Sequence, residues 1–194
     1  MRIETSRLIL RPFTESDAEA VSYNSRRPSV ARNMPEMVIE TKEAALGWIR
    51  YVNCELVDIA KPCMLFAVQL ISSGNVIGCI FIQRKEEWDN VVEMGYNIAD
   101  EYQNNGYATE AGKAMIWWAF EKAGQDVLSA FVSPENVASR RVIEKLGFVR
   151  VETRMLPHNG EDCAFDYFRL RHTEYIPDLE WDTRNQVKLE QESE

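Results

Sequence analysis

The segment from Val91 to Gly124 constrains the fold of this chain more than any other. Val91 to Ile98 alternates, with Val92, Met94, Tyr96 and Ile98 on one side and Val91, Glu93, Gly95 and Asn97 on the other, which is a strand pattern. A turn of polar and small residues, Glu101-Tyr102-Gln103-Asn104-Asn105-Gly106, leads into a helical pattern that runs from Gly106 to about Ala123 and stops at Gly124. The first backbone N–H groups of such a helix have no partner within it, and they point at whatever lies beyond its end. With the positive end of the helix dipole they form a cradle for a pyrophosphate, and Gly106 and Ala108 keep its surface low. A plain strand-to-helix turn is the competing reading. The turn is neither a nucleotide P-loop, which needs a Gly-Lys-Ser/Thr ending, nor a G-x-G-x-x-G dinucleotide turn.

The rest of the chain surrounds this unit with a mixed α/β layout. Leu8 to Phe13 reads as a short strand, and Thr14 caps a helix carrying Glu15 and Asp17 in its first turn and continuing to about Tyr23. Pro28 and Pro35 break the next stretch into irregular or short-helical pieces, and a longer helix begins near Thr41 with one apolar face through Ala45, Trp48, Ile49, Val52 and Leu56. Met64 to Ile71 and Val76 to Gln83 flank the turn Ser72-Ser73-Gly74-Asn75 as a hairpin, to which Val91 to Ile98 adds a third antiparallel strand. Val127 to Val132 is a strand, Pro134 to Leu146 a helix stopped by Gly147, and Phe148 to Arg154 and Cys163 to Leu170 are strands joined by a loop carrying Asn159-Gly160.

Composition narrows the function classes. The 194 residues are 45% hydrophobic and 27% charged, enough to bury one domain's core. Acidic residues outnumber basic ones by 31 to 22, and the net charge of −9 argues against nucleic acid or anionic membrane as a partner while suiting a cationic one. No secretory signal or transmembrane run is visible. Cys54, Cys63, Cys79 and Cys163 are irregularly spaced and only His158 and His172 accompany them, so reduced thiols, a cytoplasmic location and no metal site are expected. The domain is expected to occupy 1–177. The stretch 178–194 holds six acids and two bases, a net −4, and reads as a weakly ordered acidic tail with Trp181 as its one docking anchor.

The pattern Gln103-x-x-Gly106-x-Ala108 resembles the acetyl-CoA-binding motif, Q/R-x-x-G-x-G/A, of the GNAT superfamily of N-acetyltransferases. Met94-Gly95-Tyr96, Gly106-Tyr107-Ala108-Thr109-Glu110-Ala111, Pro134-Glu135-Asn136-Val137-Ala138-Ser139-Arg140 and Glu144-Lys145-Leu146-Gly147-Phe148 are similar to the ribosomal-protein-alanine (RimJ/RimL-like) branch, as is the opening Thr5-Ser6-Arg7-Leu8-Ile9-Leu10-Arg11. The resemblance spans roughly residues 3 to 175. It implies a twisted mixed sheet of six or seven strands, flanked by helices on both faces and splayed between Val91–Ile98 and Val127–Val132. Acetyl-CoA would enter the splay as co-substrate, with no metal. Its pantetheine would pair with backbone groups near Asn97 and Ile98 and with Asn136, and its pyrophosphate would lie on the amides of Asn104, Asn105, Gly106, Tyr107, Ala108 and Thr109, with Gln103 also counted among the cofactor-binding residues. Asn136 also has a simpler reading, as a helix N-cap. A homodimer is compatible with the resemblance.

The chemistry of acetyl transfer then selects further candidates. An alkyl ammonium with a pKa of about 10 attacks a thioester only after losing a proton. Glu93 is the first candidate base, its alternative being a surface or ion-paired strand residue. The Ile98 N–H could stabilise the acyl oxyanion. Many superfamily members place a thiolate-protonating tyrosine where this chain has Ile143, and in the resembling branch the position of Ser139 is suspected of that role; the alternative is a helix polar residue or cofactor contact. Trp117-Trp118 reads as core, Arg26-Arg27 as a solvated pair, Cys79 as a small buried residue and His158 as a loop residue near the acceptor entrance. The sequence thus points to acetyl transfer by direct attack in a ternary complex, onto a protein N-terminus or a small amine. The alternative is a catalytically weak acetyl-CoA-binding or interaction module.

Overall fold

The computed structural model describes residues 2–55, 64–86, 88–158 and 160–177. Strands β1 (Ile3–Glu4), β2 (Leu8–Arg11), β3 (Met64–Leu70), β4 (Val76–Lys85), β5 (Val91–Ile98), β6 (Val127–Val132), β7 (Val149–His158) and β8 (Glu161–Arg171) form one sheet in the order β1-β2-β3-β4-β5-β6-β8-β7. The helices are α1 (Ala18–Ser25), α2 (Pro28–Asn33), α3 (Lys42–Glu55), α4 (Tyr107–Trp117) and α5 (Val137–Lys145), with a π-helical turn, Trp118–Lys122, extending α4. All neighbouring strands are antiparallel except β5 and β6.

Period-two alternation divides the core between the two faces of the sheet. On one face Leu8, Leu10, Phe66, Val68, Ile80, Ile82, Met94, Leu128 and Phe168 pack against Ala111, Ala114, Met115 and Trp117 of α4 and Ile143 of α5. On the other, Ala67, Val76 and Cys79 meet Ala18 and Val21 of α1 and Ala45, Ile49 and Val52 of α3. Both tryptophans of the Trp117-Trp118 pair are buried in the first cluster.

Eight strands stand where six or seven were expected. The additional one, β1, pairs only Ile3 with Leu10 and Glu4 with Ile9. Two residues carry too little alternation to be read from sequence; they are extended because the outer edge of β2 offers hydrogen bonds. The β7–β8 hairpin is longer than expected at both ends of its loop, which places His158 in a strand. The helix expected from Pro134 begins at Val137, after the Asn136 N-cap. The expected acidic tail (178–194), Cys63 and Asn159 lie outside the described residues.

Candidate active site

Strands β5 and β6 are in register at one point, Glu93 opposite Ser129. Beyond it the sheet opens. A cavity of about 720 Å³ occupies the opening, and it is lined by Glu93, Asn97, Ile98, Gln103, Asn104, Gly106, Tyr107, Ala108, Thr109, Asn136 and Ser139. Residues drawn from a strand, a turn and two helices thus meet in one space. Asn105 is not among the lining residues; its side chain folds back to donate to the carbonyls of Tyr102 (3.1 Å) and Gln103 (2.9 Å).

The turn into α4 leaves a low surface at the helix start. Gly106 is the N-cap at φ +80°, a left-handed conformation that glycine adopts without a Cβ penalty, and Asn104 takes φ +61°. The Gln103 amide spans the turn, donating to Ile98 O at 2.9 Å and to Ser29 Oγ at 2.6 Å. Ser29 in turn donates to Asp100. Gln103 therefore ties the turn to β5 and to α2. The first turn of α4 is anchored from outside by Glu110, which accepts from Thr5 Oγ1 (2.6 Å), Ser6 Oγ (3.0 Å), Arg7 N (2.8 Å) and Arg7 Nε (2.7 Å), while Arg7 Nη1 donates to Asn105 O (3.0 Å). Burial pushes the Glu110 carboxyl up, but these donors together hold it below the ordinary glutamate range.

Backbone direction along β5 separates two of the expected cofactor contacts. The Ala99 N–H bonds Ile77 O of β4 at 2.9 Å, so alternation turns the backbone of Asn97 toward β4 and that of Ile98 toward the opening. The Asn97 side chain also faces away from β6, donating to Cys79 Sγ at 3.1 Å. Burial raises the Cys79 thiol to about 12 against the opposing effect of Asn97, which leaves it inert at neutral pH.

Glu93 lies mostly buried at the point where the strands part. It accepts from Gln83 Nε2 at 3.1 Å, and Lys85 Nζ stands 3.9 Å from the same oxygen. On α5, Asn136 Oδ1 accepts from Ser139 N at 3.0 Å, the N-cap bond read from sequence. Ser139 Oγ accepts from the hydroxyl of Tyr96 at 3.1 Å. Tyr96 was not singled out from sequence, where it sits on the core-facing side of its strand; a tyrosine among Met94 and Ile98 is itself a signal, because a buried phenol seeks a partner. Arg141 and Lys145, four residues apart on α5, also line the cavity and place two cations in it. Their spacing on one helix was the available signal. His158 also lines the cavity. Among the described residues no cluster of His, Cys, Asp or Glu could hold a metal, and no helix is long and apolar enough to cross a membrane.

The profile of the family described as "Acetyltransferase (GNAT) domain" matches residues 7–149. The chain is 32% identical over 150 residues to the uncharacterized N-acetyltransferase YnaD of Bacillus subtilis strain 168, covering 77% of this chain and 84% of that protein. Its fold is similar to a GNAT-family acetyltransferase from Bacillus anthracis, at 28% identity and a TM-score of 0.75 over 90% of this chain and all of the other. Mycobacterium smegmatis RimJ, solved with CoA-disulfide, shares the fold at 20% identity and a TM-score of 0.69, over 90% of this chain and 88% of that one.

Proposed function

Because this chain belongs to the GNAT acetyltransferase family, whose members use acetyl-CoA, we propose that it transfers acetyl from acetyl-CoA to a primary amine by direct attack within a ternary complex. The observation that carries this reading is the single opening at Glu93 and Ser129, which gathers an anion cradle, an outward-facing strand backbone, a carboxylate and a hydroxyl around one cavity.

The donor set suits the cofactor's chemistry. The start of α4, with Arg141 and Lys145 nearby, offers amide dipoles and two cations to a polyphosphate. An acidic chain can hold such a ligand without a basic surface. The backbone of Ile98 and the side chain of Asn136 would take the pantetheine as an added strand. Glu93 would accept the proton of the acceptor ammonium, directly or through water, a role typically contributing about 10²- to 10⁴-fold. The Ile98 N–H would stabilise negative charge on the acyl oxygen as the C–N bond forms. Ser139 would hydrogen-bond the sulfur as the C–S bond breaks; Ile143, buried in the core, has no proton to supply. The catalytic domain is residues 1–177, the acidic stretch 178–194 stands outside this chemistry, and a cytoplasmic setting belongs to the same proposal.

The test is initial-rate kinetics of CoA-thiol release with acetyl-CoA and an amine panel varied together. Intersecting double-reciprocal lines are expected. Parallel lines would replace direct attack by an acetyl-enzyme route, and saturable acetyl-CoA binding without thiol release for any amine would remove the transfer reading.

A further inference from the structure

We propose that the acceptor is a small primary amine carried on a flat aromatic body, of the arylalkylamine class, whose ring lies on a row of aromatic side chains beside Glu93; this rests on the acetyl-transfer reading above.

The cofactor turn and the acceptor space belong to opposite faces of the sheet. Alternation directs Met94 and Ile98 toward α4, so Glu93 and Gly95 face the other way, as do their cross-strand partners Gln83 and Phe81. Helices α1 and α3 cover the part of that face formed by Ala67, Val76 and Cys79. The part around Glu93 is instead the floor of the cavity.

That floor is aromatic. A Cβ on Gly95 would come within 2.2 Å of Phe81 Cζ, so the Phe81 ring lies directly over the glycine, next to Glu93. On the far side of β5, Phe131 stacks on Tyr167 with centroids 5.2 Å apart and planes at 17°, and Trp88 meets Phe131 edge-on at 4.8 Å. Phe81, Trp88, Phe131 and Phe165 all line the cavity, with Tyr167 stacked on Phe131. An amine pointing at Glu93 would lay its carrier across this surface, where a flat ring finds stacking partners and a hydrated carrier loses its water without replacement.

Charge argues against the other small amines. Among the described residues the cavity is lined by two carboxylates, Glu36 and Glu93, against the cations Lys85, Arg141 and Lys145. A polyamine needs a carboxylate for each further ammonium, and an amino sugar needs a donor or acceptor for each hydroxyl. The aromatic row offers neither. One amine beside Glu93, on an apolar carrier, matches this aromatic part of the cavity.

The experiment compares kcat/KM of the full chain for phenethylamine and tryptamine with that for spermidine, glucosamine and peptides beginning with Ala or Ser. Arylalkylamines are expected to lead by about tenfold or more. In a second arm, Phe131→Ala and Phe131→Leu should raise the arylalkylamine KM about three- to tenfold while leaving the KM for acetyl-CoA unchanged. Preference for a polyamine, sugar or peptide would overturn the aromatic-acceptor inference while leaving amine acetylation standing. Equal KM values for the Phe131 variants and the parent would overturn it as well. Thiol release with no amine in the panel would end both readings, a result distinct from either of these.

Discussion

The Tyr96 hydroxyl donates to Ser139 Oγ at 3.1 Å and joins β5 to the first turn of α5. Burial raises the phenol to about 12, against the opposing effect of the bond to Ser139, so Tyr96 stays a neutral donor throughout the working pH range. A serine hydroxyl has one hydrogen. With its oxygen accepting from Tyr96, Ser139 directs that hydrogen elsewhere, and the cavity is where the departing sulfur would be. Tyr96→Phe should lower kcat about three- to tenfold with little change in the KM for acetyl-CoA, and raising the pH should not restore it. Ser139→Ala should cost a similar factor, and the double variant should be no slower than Ser139→Ala. Multiplicative losses in steady-state kinetics would mean that the two hydroxyls act separately.

Glu93 accepts from Gln83 and neighbours Lys85, contacts that hold the carboxylate at the parting of the strands. Glu93→Gln preserves the shape and removes the proton acceptor. Turnover at neutral pH should fall by about 10² or more while acetyl-CoA binding changes little, and the rate should recover partly as pH approaches the amine's own pKa of about 10. A pH–rate profile parallel to that of the parent would remove Glu93 as the base.

Gly78 leaves room for the neighbouring strand. A Cβ there would stand 2.0 Å from the Asn97 carbonyl oxygen, a backbone atom that cannot rotate aside. Gly78→Ala should push β5 away from β4 at Asn97 and Ile98, destabilise the fold by about 2 kcal/mol or more, and raise the KM for acetyl-CoA. Urea unfolding together with steady-state kinetics would check both effects. A stable variant with an unchanged KM would show that the strand end yields freely.

The Glu110 clamp gives stability a definite dependence on pH. Its carboxyl is held below the ordinary glutamate range in the folded chain, so its contribution is fully present above the unfolded value of about 4.3 and is lost as pH falls through the lower folded value. Asp166 behaves in the same way: the hydrogen bond from Arg150 is the largest cause lowering its carboxyl, burial opposes it, and Thr153 and Arg140 add to the lowering. The melting temperature should be nearly level from about pH 7 to 5 and fall at lower pH. Glu110→Gln should cost about 2 kcal/mol at pH 7 and less at about pH 3, below the unfolded value, where the parent is losing the carboxylate's contribution. Thermal melts across that range would check the sign; an equal loss at both pH values would assign the effect to packing.

Much of this architecture is legible residue by residue. The alternation from Val91 to Ile98 predicts a strand with the bounds observed, because a strand with a buried and an open face must change polarity at every residue. The turn at Gly106 and the stop at Gly124 are equally local, since both glycines occupy left-handed backbone that other residues resist. The resemblance carried by Gln103, Gly106 and Ala108 singles out the turn before α4, yet the Gln103 side chain spans to Ser29 and Ile98, partners that no local rule supplies.

The sequence by itself determined most of the elements, the face on which their strand residues lie, and the turn that starts α4, because these depend on periods of two and 3.6 residues and on backbone freedom at single positions. Only the tertiary structure decided that Tyr96 meets Ser139, that Arg141 and Lys145 enter the same cavity, and that Phe81, Trp88 and Phe131 line it with Glu93. Those residues come from separate strands, a helix and a turn. Their adjacency follows from strand order and from a single register point between β5 and β6, quantities set by packing of the whole sheet.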